Sequence, residues 1–268
     1  MNKVDAPAVR RTLLVAAAAV ALAAALPVQA DLVSVIAAAK PSVLPVGTFS
    51  ATESPRFGFR GTGFVVGDGS LVVTNFHVLP PAGEIEGGPA LVVLVTRPGE
   101  ASSGQTGQLR RARVAATDRV HDLALLRIEG APLTPLVLDP PGAVAREGQS
   151  IALMGFPIGG VLGFTVVSHR GIIASITTAA LPAATAQQLD PRALVRLREG
   201  NYEVLQLDAT AYPGNSGGPL LDADSGRVVG IVNMVLVKAG RESALSNPTG
   251  ISYAIPVRHL HALMKSPQ

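Results

Sequence analysis

The chain has 268 residues, 48% of them hydrophobic but only 4% aromatic, with no Trp and a formal charge of +3. That length can bury one or two substantial cores, which must be built from Val, Leu, Ile and Ala. The absence of Cys excludes disulfides, zinc–thiolate sites, a cysteine nucleophile and a lipoprotein anchor.

Lys3, Arg10 and Arg11 against Asp5 put most of the net charge in the first thirty residues. Arg10-Arg11 close a short basic region, 12–26 is an apolar, Ala-rich run, and Pro27-Val28-Gln29-Ala30 offers small residues at −3 and −1 of a cut after Ala30. This order reads as a cleaved export signal over residues 1–30. The run is short for a bilayer span, which needs about 20 residues. It has no polar face, so it does not read as an amphipathic helix. The expectation is a periplasmic or secreted protein with no membrane span after signal cleavage. One Arg pair does not separate Sec from twin-arginine export.

From Asp31 onward, short β-branched runs alternate with Gly, Pro, Asp and Ser. The pattern predicts strands at Val43–Phe49, Gly63–Val66, Ser70–Thr74, Leu91–Val95, Leu109–Thr117, Leu123–Ile128, Ser150–Met154, Thr165–Ile176, Val204–Asp208, Gly218–Leu221, Arg227–Met234 and Ile251–Ala254. Helical signals are few: Leu32–Lys40, the turn after His77, Pro191–Arg198 and Val257–Lys265. Many strands and few helices favour an all-β fold over a βαβ sheet. Leu138-Asp139-Pro140-Pro141-Gly142 divides the strands into two groups of six. The expected organisation is two six-stranded antiparallel β-barrels, 31–140 and 141–268, with the site in the cleft between them. Insertions at 97–108 and 177–203 are expected to be surface loops. No internal repeat is visible. Arg110, Arg111 and Arg113 have no interleaved aromatics and read as a solvated strand edge, not a nucleic-acid surface.

Residues 214–219, Gly-Asn-Ser-Gly-Gly-Pro, carry the strongest chemical signal. Ser216 is flanked by glycines that allow a sharp turn and bring bare N–H groups close to a carbonyl. A serine nucleophile needs a base and a group that orients the base. Among five histidines, His77 ends an apolar strand at a strand-to-turn junction. His169 lies among strand residues and is a second choice for the cleft. His259 and His261 fall on the C-terminal helix and are expected to be solvated. Asp122 immediately precedes the strand Leu123–Ile128 and is the preferred carboxylate; Asp118, in a turn-like context, competes. The N–H groups of Gly214 and Ser216 are natural oxyanion donors. No His/Asp/Glu cluster has metal-ligand spacing, and no cofactor is indicated.

Gly214-x-Ser216-x-Gly218 also matches the nucleophile elbow of α/β-hydrolases, but there a helix follows the serine and the Asp and His come after it. Here His77 and Asp122 precede Ser216. With this order, the segments Gly61–Val66, Val73–Val78, Asp122–Ile128, Met154–Gly159, Gln206–Leu220 and Gly250–Pro256 resemble the chymotrypsin-fold serine proteases. Within them the chain is most similar to the HtrA-type (Deg) proteases. The resemblance spans about 43–256. It implies a double β-barrel with His77 as base, Asp122 as its orienter and Ser216 as nucleophile. It also implies unfolded or misfolded polypeptides as substrates, and a homo-oligomer, often a trimer.

Departures from the pattern narrow these expectations. HtrA-type proteases usually carry PDZ domains after the protease domain, and none is expected within these 268 residues. Asn215 replaces the Asp that digestive proteases pair with a new N-terminus. Thr210 stands where trypsin-like members place an Asp for Lys or Arg. The strand through Asn233, Met234 and Val235 is expected to wall the specificity pocket. Val235 there would narrow the pocket to small apolar residues, provided the register does not slip by one. Two other readings use the same fold: a binding or chaperone-like scaffold with a resting site, and an esterase.

Overall fold

The computed structural model describes residues 31–81, 88–96, 107–157, 159, 163–178, 202–233 and 251–266. Twelve strands among them close into two barrels. The first contains β1 (Val43–Phe49), β2 (Phe57–Val66), β3 (Leu71–Asn75), β4 (Ala90–Val95), β5 (Gln108–Asp118) and β6 (Leu123–Ile128). The second contains β7 (Ser150–Gly155), β8 (Val167–Thr178), β9 (Glu203–Asp208), β10 (Pro219–Asp222), β11 (Val228–Asn233) and β12 (Ile251–Pro256). Helix α1 (Leu32–Ala39) precedes the first barrel and α2 (Val257–Lys265) follows the second. The strand pairs are antiparallel throughout both barrels.

The barrels run in the order β1-β2-β3-β6-β5-β4 and, read from β7, β7-β8-β9-β12-β11-β10. The two halves therefore share one topology although the sequence shows no repeat. Period-2 alternation specifies which face is buried, not which side chain occupies it. Two different aliphatic sets can thus fill the same frame. Leu44, Val46, Val65, Val72, Val93, Ala124 and Leu126 pack inside the first barrel. Ile151, Leu153, Ile173, Leu205, Leu207, Leu220 and Val232 pack inside the second. Burying each of the larger aliphatic side chains contributes about 1.5–3 kcal/mol.

The structure lengthens β2, expected only from Gly63. Glycine usually weakens a strand, and three lie in this one, but here close packing requires them. A Cβ on Gly63 would come within 2.8 Å of Val46, Val72 and the Val73 carbonyl. One on Gly47, paired with Phe59 from β1, would lie 2.3 Å from the Gly58 carbonyl. The connection between the barrels is laced to both. Leu133 and Leu136 donate backbone N–H groups to the carbonyls of Gly69 and Val65 in the first barrel, while the Asp139 N–H donates to the Val228 carbonyl of the second and the Val228 N–H donates to the Val137 carbonyl. The helix expected at Pro191–Arg198 lies outside the described residues.

The barrels meet at the turn after β9. Gly217 has φ of +85°, and a Cβ there would sit 2.2 Å from the Thr62 carbonyl and 2.4 Å from Thr74 Oγ1. Gly217→Ala is expected to lower stability by at least about 2 kcal/mol, from left-handed strain plus the backbone clash. Urea denaturation measures it.

Candidate active site

The first-barrel half of the site is built on two turns. β3 ends at Asn75, and a 3-10 turn, Phe76–Val78, carries His77 out of the sheet. β5 and β6 are joined by a turn that ends in Asp122. Asp122 is the one non-glycine with positive φ (53°) among the described residues. Asp tolerates this conformation better than most residues. It is held there by two donors to its backbone carbonyl, the Phe76 N–H and Asn75 Nδ2, both at 3.0 Å.

The turn leaves the Asp122 carboxylate facing His77. Asp122 Oδ1 accepts the His77 backbone N–H at 2.9 Å, and Oδ2 lies 2.6 Å from His77 Nδ1. A third donor crosses from the second barrel: Asn233 Nδ2 reaches Oδ2 at 2.9 Å. Asp122 is 8% exposed. A buried carboxylate needs such donors, and these also aim it. The Nδ1 contact leaves Nε2 as the ring atom directed away from Asp122.

The second-barrel half is the loop from Ala209 to Gly218. Its fold depends on Thr62 of β2. The Thr62 N–H donates to the Ser216 carbonyl at 2.9 Å, and Thr62 Oγ1 donates to the Gly214 carbonyl at 2.6 Å. The same Oγ1 accepts the Phe156 N–H at 3.1 Å. Within the loop, the Asn215 N–H bonds the Tyr212 carbonyl and the Gly218 N–H bonds the Asn215 carbonyl. Gly214 has φ of +104°. Among the described residues, neither the Gly214 nor the Ser216 N–H has a backbone acceptor.

These bonds bring Ser216 to the chain around His77. A Cβ on Gly61 would touch both Val78, the next residue after His77, and the Ser216 carbonyl at 3.0 Å. A Cβ on Gly217 would lie 3.0 Å from the Asn75 N. Ser216 is 6% exposed. His77, Asp122, Ser216 and Gly214 are therefore gathered at the junction of the barrels. The carboxylate of Asp122 orients the His77 imidazole, as a general base requires.

The expected pocket residues fare differently. Thr210 is half-buried in the loop before Gly214. Asn233 was expected to wall the pocket, but its side chain is 1% exposed and is directed at Asp122. Met234 and Val235 lie outside the described residues. Asn215 is fully buried, and its amide atoms have no hydrogen-bond partner among the described residues. Sequence reasoning missed Thr62, Asn75 and the contribution of Asn233. The only available signal was polar residues inside otherwise apolar strands.

The remaining histidines are engaged by neighbouring groups. His121 Nδ1 lies 2.6 Å from Asp118 Oδ2, so Asp118 has a histidine of its own. His259 is stacked on His121 with ring centroids 3.8 Å apart, and Tyr202 meets His121 edge-on. His259 is thus half-buried, not fully solvated, because α2 turns this face toward the first barrel. Burial, with the His121 and Arg258 charges, pushes its pKa down to about 4 against the weaker pull of Asp118. His261 Nε2 bonds the Asp139 carbonyl at 2.7 Å. His169, on β8, packs near Tyr212, and burial lowers its pKa. Among the described residues, no group of three or more His, Cys, Asp or Glu is placed to hold a metal ion.

The trypsin-like peptidase domain family matches residues 61–231. This chain belongs to that family. Within it the chain is HtrA-like. It is 30% identical over 215 residues to the putative serine protease HhoA of Synechocystis sp., spanning 79% of this chain and 43% of the relative. It is 29% identical over 214 residues to a probable periplasmic serine endoprotease, DegP-like, of Halomonas elongata, spanning 80% of this chain and 36% of the relative. The chain thus spans less than half the length of these curated relatives. The solved structure of the HtrA-type protease AlgW with a tripeptide shares the fold, with a TM-score of 0.60 at 24% identity over 88% of this chain and 63% of that one.

Two outcomes are expected in this trypsin-like domain. Thr62→Val strands the Gly214 carbonyl and the Phe156 N–H, and should cost about 1–3 kcal/mol in urea denaturation. His259 takes up its proton near 6.5 when unfolded but near 4 when folded. The unfolded chain therefore protonates first, and stability present above pH 6.5 is lost as pH falls toward 4. Tm measured across that window should fall less steeply in His259→Phe than in the wild type.

Proposed function

We propose that the chain is a serine endopeptidase that cleaves unfolded or misfolded polypeptides through an acyl-enzyme. The observation that carries this reading is the His77–Asp122 pair, with its 2.6 Å contact, lying against the glycine-rich loop of Ser216. In this mechanism His77 Nε2 takes the Ser216 Oγ proton as Oγ attacks the scissile carbonyl. Asp122 holds the imidazole with Nδ1–H toward itself and stabilises the imidazolium. The developing oxyanion is received by the N–H groups of Gly214 and Ser216, and removing one such donor typically costs about 10²–10³ in rate. His77 then gives its proton to the leaving amine. Water, activated by the same imidazole, releases the acyl group.

Specificity for small apolar residues before the scissile bond is part of the proposal. Thr210 supports it in one respect: no carboxylate stands there to pair with Lys or Arg. Met234 and Val235 are assigned to the pocket wall on the family pattern, with Asn233 contributing backbone only. Export by residues 1–30 to the periplasm or beyond is in keeping with the Halomonas relative, a probable periplasmic endoprotease. No helix among the described residues is long and apolar enough to cross a membrane. Assembly into a homo-oligomer, a trimer by family resemblance, completes the reading.

Digestion of an unfolded, casein-like protein tests both parts. Ser216→Ala should lower kcat by at least about 10⁴-fold. Mass-spectrometric mapping should place most cuts after Ala, Val or Thr. A majority after Arg, Lys or Phe would overturn the specificity. Wild-type binding of the unfolded protein without any cleavage would favour the scaffold instead, and ester turnover without peptide cleavage would favour an esterase.

A further inference from the structure

The turn that presents Asp122 contains a second His–Asp pair built like the first. Asp118 Oδ1 accepts the His121 backbone N–H at 3.0 Å while Oδ2 meets His121 Nδ1 at 2.6 Å. Asp122 contacts the N–H and Nδ1 of His77 in the same two-pronged way, at 2.9 and 2.6 Å. The second pair closes the chain between the end of β5 and Asp122. Its imidazole is clamped from the other barrel by His259 of α2, stacked at 3.8 Å, and by the Tyr202 edge at 4.9 Å. Arg119, in the same turn, lies over the Phe76 ring at 4.9 Å, one residue before His77.

We propose that Asp118 and His121 are positioning residues that fix the backbone of Asp122 and hence the aim of its carboxylate at His77. The proposal rests on the reading of Asp122 as the orienter of His77. A non-glycine in the left-handed region costs about 1–2 kcal/mol and persists only where its neighbours hold it. His121 is the residue immediately before Asp122, and both its N–H and its ring are committed to Asp118. Burial alone would raise the Asp118 carboxyl pKa. The bonds from the His121 ring and N–H, with the His121 and His259 charges, outweigh it and hold the group below its usual value. Asp118 therefore stays an ionised acceptor through the neutral range. Arg258 of α2 also acts on His259 and is paired with Glu203 at 2.9 Å, while Arg119 of the same turn faces Phe76.

Neither residue touches the reacting atoms, so the effect should appear in kcat and in the His77–Asp122 hydrogen bond, not in substrate affinity. With the full chain and an unfolded protein substrate, Asp118→Ala should lower kcat by about 10- to 100-fold, the scale of a misaligned catalytic group, with KM little changed. Asp118→Asn keeps an acceptor for the His121 N–H and should recover part of the loss. In the same variants the downfield proton resonance of the His77 Nδ1–H···Asp122 bond should shift or broaden in Asp118→Ala and return toward the wild-type position in Asp118→Asn. A merely structural role would lower Tm and leave both readouts unmoved in the folded protein. Should Asp118→Ala fail to fold, His121→Ala carries the same comparison. A folded variant with unchanged kcat and unchanged resonance overturns the proposal. A wild type inactive on every substrate would refute the peptidase reading instead, and the resonance would still decide the positioning claim.

Discussion

The backbone N–H and the hydroxyl of Thr62 hold the two barrels in register. Its N–H and hydroxyl bind the carbonyls of Ser216 and Gly214. Its hydroxyl also receives the Phe156 N–H, and its carbonyl receives Thr74 Oγ1 at 2.7 Å. Thr62 is fully buried, so its bonds to Ser216, Gly214 and Phe156 would be left unmade, not replaced by water, if the barrels shifted. That penalty fixes where the Ser216 loop sits relative to His77. The site is thus a property of the seam between two closed sheets, neither of which contains it alone.

The seam also explains why so many glycines occupy this chain near the site. Gly61, Gly217 and Gly218 each stand where a Cβ would strike backbone or side-chain atoms at 3.0 Å or less. Gly217 is pressed against the first barrel, while Gly218 would strike the Met154 carbonyl within the second. The chain trades local conformational entropy for close approach of backbones. The carboxylate follows a related logic. Asp122 is reached by donors from β3, from the His77 turn and from β11 across the seam, so relative motion of the barrels and misorientation of the acid are one event.

Much of this was legible in the sequence. β1, β6 and α2 have the bounds that alternation and helical periodicity indicate. His77 and Asp122 stood out because each adjoins an apolar strand that anchors its backbone, and Ser216 because of its glycines. The errors share one physical origin. β2 looked short because glycine signals a turn locally, whereas its glycines answer to neighbouring strands. Asn233 looked like a pocket residue because nothing near it in the chain reveals that its amide meets Asp122. His259 looked solvated because its partners, His121 and Tyr202, belong to other elements. Local pattern reports which face is buried; it does not report which distant polar group waits there.

The central claim is that this seam assembles a reactive serine. Labelling the wild-type chain with a fluorophosphonate and locating the adduct by peptide mass spectrometry tests it most directly. The account predicts a single adduct on Ser216, abolished in His77→Ala and sharply slowed in Asp122→Ala. Labelling at another residue, or labelling of Ser216 that persists undiminished without His77, would contradict it.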